Sequence, residues 1–283
     1  MRLFLAMAIA VLLAGCMGAT GAVASKISYS YGGNPRQILD IHVPKGARHA
    51  PLILFVHGGG WSEGAKEMGQ GGPPAHFTAQ GYAFAALNYR LVPDATVEDQ
   101  AADVARALSF LLRNARALGL DGERVILIGH SSGAHLAALV ATDPQWLQQA
   151  NVADDVVRGV ISLDGAGIDV PGIMAAGASR SPFYTNAFGP DAARQGRLSP
   201  LEHLGAGDAP NWLLLYDGEH NPGAGYFAER FAVAARAGGM HADAIAITGT
   251  GHMRMLQELG RPGDQTTAEI DRFIDRVIGK GAQ

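Results

Sequence analysis

In 283 residues the sequence has a single cysteine, Cys16. A lone thiol cannot close a disulfide within the chain, and at this position it leaves no cysteine for a metal cluster or a catalytic thiol. Blocks of like charge and basic stripes are also missing, and the formal net charge is only −4. That removes the electrostatic footprint of a surface that follows nucleic-acid phosphates. The ten histidines include no HExxH or similar ligand spacing, which argues against a metal site. There is no internal repeat. The N-terminal apolar run, Leu3 to Leu13 after Arg2, is too short to span a bilayer.

What is present begins with that run, which has the form of an export signal. Its end, Leu13-Ala14-Gly15-Cys16, resembles a bacterial lipobox, which implies cleavage before Cys16 and a lipid on its thiol. The expected organisation is a signal segment 1–16, a tether 17–25 and one catalytic domain over 26–283. An ordinary secretory signal cut near Ala22 or Ala24 is the alternative, and both place the mature protein outside the cytoplasm, in the periplasm or at a membrane surface.

Apolar runs and helical patterns alternate through the rest of the chain. Strands are expected at Leu52 to Val56, Ala83 to Asn88, Val125 to Gly129, Val157 to Leu163, Asn211 to Tyr216 and Ala242 to Thr248. Most are continuous apolar runs, as in strands covered on both faces. Helical spacing is expected from Ala101 to Leu118, Ser132 to Ala141, Tyr226 to Ala237 and Thr266 to Ile278, and Ser25 to Val43 reads as an antiparallel opening hairpin. The fold class is α/β, a mixed and mainly parallel sheet flanked by helices. The Gly-, Pro- and Ala-rich stretch 166–209 breaks the rhythm and is expected to form a small cap.

Gly129-His130-Ser131-Ser132-Gly133 lies directly between a strand and a helix, the context in which a serine is presented as a nucleophile on a tight turn. His57-Gly58-Gly59-Gly60-Trp61 follows another strand. Its glycines let backbone N–H groups face a ligand, so Gly59, Gly60 and Ser132 are assigned as oxyanion donors. The lysine of a nucleoside-triphosphate loop is absent there. His252, in a loop after the last strand, is the expected general base, because a serine hydroxyl attacks well only when a base removes its proton. The acid that should orient it is expected after Tyr216. Glu219 is the choice for its reach, with Asp217, Asp169 and Asp164 as alternatives, and Asn221 as an amide that could hold an imidazole without compensating its charge.

Together with Gln37-Ile38-Leu39-Asp40-Ile41, Asn88-Tyr89-Arg90-Leu91 and the segment Asp99 to Asp103, these motifs make the chain resemble bacterial carboxylesterases of the hormone-sensitive-lipase and feruloyl-esterase-like group, which are similar also to kynurenine formamidases. The resemblance implies the α/β-hydrolase fold with an eight-stranded sheet, a serine–acid–histidine triad and no cofactor. It also implies substrates among short acyl esters, aryl esters and formamides. The chain departs from the group near Asn221, where an aspartate is the rule. The expected function is hydrolysis of small acyl or aryl esters through an acyl-enzyme on Ser131, with Trp61 and the apolar residues of Met174 to Phe188 shaping the pocket. Amide or formamide hydrolysis is the alternative, and a non-catalytic lipid-anchored binding protein a third. No nucleic-acid partner is expected, and the oligomeric state is left open.

Overall fold

The computed structural model describes residues 25–205 and 208–279. The signal segment and Cys16 lie outside them. Eight strands form one sheet: β1 (Ser25–Ser30), β2 (Ile38–Val43), β3 (Ala50–Val56), β4 (Ala83–Leu87), β5 (Leu120–His130), β6 (Val157–Leu163), β7 (Asn211–Asp217) and β8 (His241–Ile247). Their spatial order is β1-β2-β4-β3-β5-β6-β7-β8. β2 runs antiparallel to both β1 and β4, and all other neighbours are parallel.

The continuous apolar strands follow from burial of both faces. In β3 every residue is buried, and successive side chains point to opposite sides of the sheet. Leu52, Leu54 and Val56 enter one core with Leu127 and Leu136. Ile53 and Phe55 enter the other with Ile126 and Phe273. Helices Val97–Arg113 and Ser132–Thr142 cover the first face, and Gln265–Ile278 covers the second. The first of these begins at a capping box, in which Thr96 Oγ1 accepts from the Asp99 N–H and Asp99 accepts from the Thr96 N–H.

The helical signal that reached Leu118 is interrupted at Asn114, and a separate turn Ala115–Leu118 ends at Gly119, with φ 71°. β5 then starts at Leu120 because Leu120 pairs with Ala50 of β3, a contact that its polar stretch Asp121–Arg124 hides in the sequence.

Among its described residues, segment 166–209 carries four short α-helices, Val170–Ala175, Pro182–Phe188, Ala192–Arg197 and Pro200–His203, and a 3-10 turn Ala178–Arg180. Phe188 and Leu198 of this segment are buried in the same core as Trp61. The carboxyl ends of β3, β5, β6, β7 and β8 lie along one edge of the sheet, where open α/β sheets place their ligands.

Candidate active site

Ser131 follows β5 and precedes helix Ser132–Thr142, with φ 55° and ψ −120°. This is left-handed backbone for a residue with a Cβ, a conformation that costs on the order of 1–3 kcal/mol and persists only where surroundings enforce it. They do so here. The Ser131 N–H donates to the carbonyl of Leu163 at 3.0 Å, and its own carbonyl accepts from Ala134 at 3.0 Å and Ala166 at 3.1 Å. A Cβ at Gly129 would strike the Gly133 carbonyl and Ala134, and one at Gly133 would strike the carbonyls of Val56 and His57. The two glycines flanking the serine are thus fixed by backbone contact.

The loop after β3 turns with Gly59 at φ 126°, Gly60 at φ 56° and Trp61 at φ 63°. It is tied down from several sides. Tyr89 Oη donates to the His57 carbonyl at 2.9 Å, Gln100 Nε2 to the Trp61 carbonyl at 2.7 Å, and Arg36 Nη2 to the Gly64 carbonyl at 2.9 Å. Among the described residues the N–H groups of Gly59 and Gly60 have no protein acceptor. Ser132 opens its helix, so its N–H is one of the first-turn donors without an intrahelical partner. Three fixed donors are therefore available beside Ser131.

His252 opens helix His252–Gln257 after β8. Its Nδ1 lies 2.5 Å from Asp164 Oδ2, so Nδ1–H donates to the carboxylate and Nε2 is left with its lone pair. Asp164 stands one residue beyond β6 with φ 43° and is fully buried. Burial pushes its pKa up, but hydrogen bonds from His252, the Asp217 N–H at 3.2 Å and Asn221 more than offset this and leave it below the usual carboxylate range. It is ionised at neutral pH.

The acid expected at Glu219 is therefore a correction. Glu219 is exposed in the turn after β7, and its N–H donates to Asp217 Oδ1 at 3.0 Å. Asp217 is the last residue of β7 and is buried, but its carboxylate is taken up by the N–H groups of Glu219 and His220 and the His220 ring. Asp169 caps helix Val170–Ala175 through the Gly172 N–H and pairs with Arg230. Of the four carboxylates considered, only Asp164 meets His252.

A cavity of about 720 Å³ is lined by Gly59, Gly60, Ser131, Asp164 and His252. Its walls are mainly apolar and include Trp61, Ile173, Phe183, Tyr184, Phe227 and Met253. Met174 and Phe188, expected in this wall, are not part of it. Phe188 packs edge-on against Trp61 at 4.8 Å, and the wall residue of that turn is Ile173. The Trp61 indole N–H donates to His135 Nδ1 at 3.2 Å, while His135 Nε2–H donates to the Leu198 carbonyl at 2.7 Å. This neutral histidine joins the glycine loop, the helix after Ser131 and segment 166–209. Burial pushes its pKa down to about 4. A wider groove, about 1540 Å³, lies between Val43–His49 and Ala115–Glu123 and holds none of these groups.

His130 was not singled out from the sequence. Its Nε2–H donates to the His252 carbonyl at 2.9 Å and its ring lies 4.6 Å from the His252 ring. Burial, then the nearby His252 charge, push its pKa down to about 4. Its place in the serine motif was the only available signal, since its partner is 122 residues away. Among the described residues no group of three or more His, Cys, Asp or Glu side chains is placed to hold a metal ion.

Residues 39–159 match the family model BD-FAE. Isoprenylcysteine alpha-carbonyl methylesterase of Arabidopsis thaliana is 36% identical over 114 residues, which are 39% of this chain and 26% of that protein. Esterase LipC of Mycobacterium tuberculosis is 30% identical over 141 residues, 48% of this chain and 35% of that protein. The chain thus spans well under half the length of these curated relatives. Among solved structures, an inhibited esterase B from Lactobacillus rhamnosis superposes with a TM-score of 0.74 at 22% identity, covering 90% of this chain and 86% of that one. The fold is that of the α/β-hydrolases.

Proposed function

We propose that this α/β-hydrolase is a serine carboxylesterase acting on small acyl or aryl esters. One observation carries the reading. The His252–Asp164 pair, at 2.5 Å, and Ser131, on its enforced turn, line one cavity with the free N–H groups of Gly59 and Gly60.

Ser131 Oγ attacks the ester carbonyl carbon while His252 Nε2 takes its proton, and Asp164 holds the imidazole and balances its charge. The carbonyl oxygen becomes an oxyanion, held by the N–H groups of Gly59, Gly60 and Ser132. Collapse breaks the bond to the leaving alcohol, which receives the proton from His252. Water deprotonated by His252 then attacks the acyl carbon, the bond to Ser131 Oγ breaks, His252 returns the proton to Oγ, and the carboxylic acid leaves. The apolar wall and cavity size favour a modest uncharged acyl or aryl group. Esterase activity of the relatives named above supports the same reading.

The test is hydrolysis of p-nitrophenyl acetate and butyrate by the purified chain. Ser131→Ala should remove about 10⁶-fold in kcat, and an unchanged Ser131→Ala rate would overturn the mechanism. We also propose export and lipid attachment at Cys16, supported by Leu13-Ala14-Gly15-Cys16. Among the described residues no helix is long and apolar enough to cross a membrane. Metabolic labelling with a fatty acid should mark the wild type and not Cys16→Ser, and equal labelling would sink this proposal.

A further inference from the structure

Asn221 closes the loop after β7 and is the N-cap of helix Pro222–Ala237. Its Oδ1 accepts from the Ala224 N–H at 3.2 Å. That bond fixes which end of the amide faces the helix, so Nδ2 faces the site. There it lies 3.4 Å from Asp164 Oδ1 and 3.3 Å from Asp164 Oδ2, straddling the carboxylate that holds His252. We infer that Asn221 is a positioning residue for the triad: its NH₂ group holds Asp164 in place for His252, and its neutrality is required because a carboxylate there would compete with Asp164. The inference rests on reading Ser131, His252 and Asp164 as a hydrolytic triad.

The other groups facing this pair are accounted for. The His130 ring lies tilted against that of His252, and its Nε2–H donates to the His252 carbonyl. Tyr184 lies near Asp164, and its hydroxyl is pushed up to about 12 by burial and then by that charge. Asp217 gives its N–H to Asp164 and turns its carboxylate to His220. Among the described residues only Asn221 offers a side-chain amide to Asp164.

The substitution Asn221→Asp separates this role from capping, because aspartate and asparagine are about equally good N-caps. Two carboxylates about 3.3 Å apart cannot both ionise freely, and the added charge favours the imidazolium. The acidic limb of kcat/KM should move to higher pH, which lowers the rate below the limb by about tenfold. Asn221→Ser keeps a good cap but withdraws the amide donors. Its kcat should fall roughly 3- to 10-fold with KM unchanged. An Asn221→Asp protein with wild-type melting temperature, His252 Nδ1–H signal and pH profile of kcat/KM would overturn the inference. If that variant does not fold, full kcat in Asn221→Ser overturns it instead. The NMR signal of the His252 Nδ1–H, which reports its bond to Asp164, needs no ester, so a wild type without hydrolysis would refute the esterase reading while a changed signal in Asn221→Asp still tests the contact.

Discussion

Two buried aspartates stand at the ends of neighbouring strands, and only one of them meets His252. Asp217 is the last residue of β7, and the turn that follows folds back so that the N–H groups of Glu219 and His220 fill its carboxylate. Asp164 sits one residue beyond β6, and its φ of 43° directs the side chain across to the loop after β8. Both carboxyls lie below their usual pKa, yet the cause differs after the shared cost of burial. Asp217 is stabilised mainly by its own turn, Asp164 by His252 and by donors from the next strand. Strand-end position and burial therefore do not single out the carboxylate that meets His252. What distinguishes it is where the carboxylate's hydrogen bonds are spent.

The largest expected effect comes from Asp164→Asn. The amide fits the same space but favours the wrong imidazole tautomer and cannot balance the imidazolium, so kcat should fall about 10⁴-fold with KM for p-nitrophenyl butyrate little changed. A loss of less than tenfold would mean that another group orients His252, and the contrast between the two aspartates would collapse.

This contrast also marks what could be read from the chain alone. The strands, the serine turn, the glycine loop and His252 are local features, in which an apolar run and the few residues after it carry the signal. The acid is not local. Asp164 and His252 are 88 residues apart, and their meeting depends on the β6, β7 and β8 register and on one left-handed residue. Glu219 looked favourable because it follows the right strand with a long side chain. The sequence could not show that the turn at Asp217 points that side chain to solvent. The same holds for Asn221, an amide that could have held the imidazole and whose Nδ2 instead lies 3.3 Å from Asp164 Oδ2.

Asp217→Asn should act on stability more than on catalysis. It weakens an acceptor of several donors in a buried turn, which costs about 1–3 kcal/mol, while kcat stays within about tenfold of wild type. The pH dependence follows from the sign of the shift. The folded pKa of Asp217 lies below its ordinary value of 3.8, so ionised Asp217 contributes stability above that value and the contribution is lost as pH falls through the folded pKa. Melting curves of wild type and Asp217→Asn should be separated by several degrees at pH 7 and converge as the pH falls through the lowered folded pKa. A constant separation down to the lowest pH would show that the charge is not what stabilises the turn.

The smallest effect is expected where the sequence placed the acid. Glu219 is exposed and contributes only its backbone N–H to the turn, and a backbone donor survives any change of side chain. Glu219→Gln should therefore leave kcat/KM within about twofold and stability within about 0.5 kcal/mol, the range of an ordinary surface substitution. A loss of more than tenfold in kcat, with KM and melting temperature unchanged, would require the loop after β7 to swing onto His252 during turnover. The two strand ends would then share the work that the static contacts give to Asp164 alone, and Asp164→Asn should correspondingly keep more activity than a sole acid would leave.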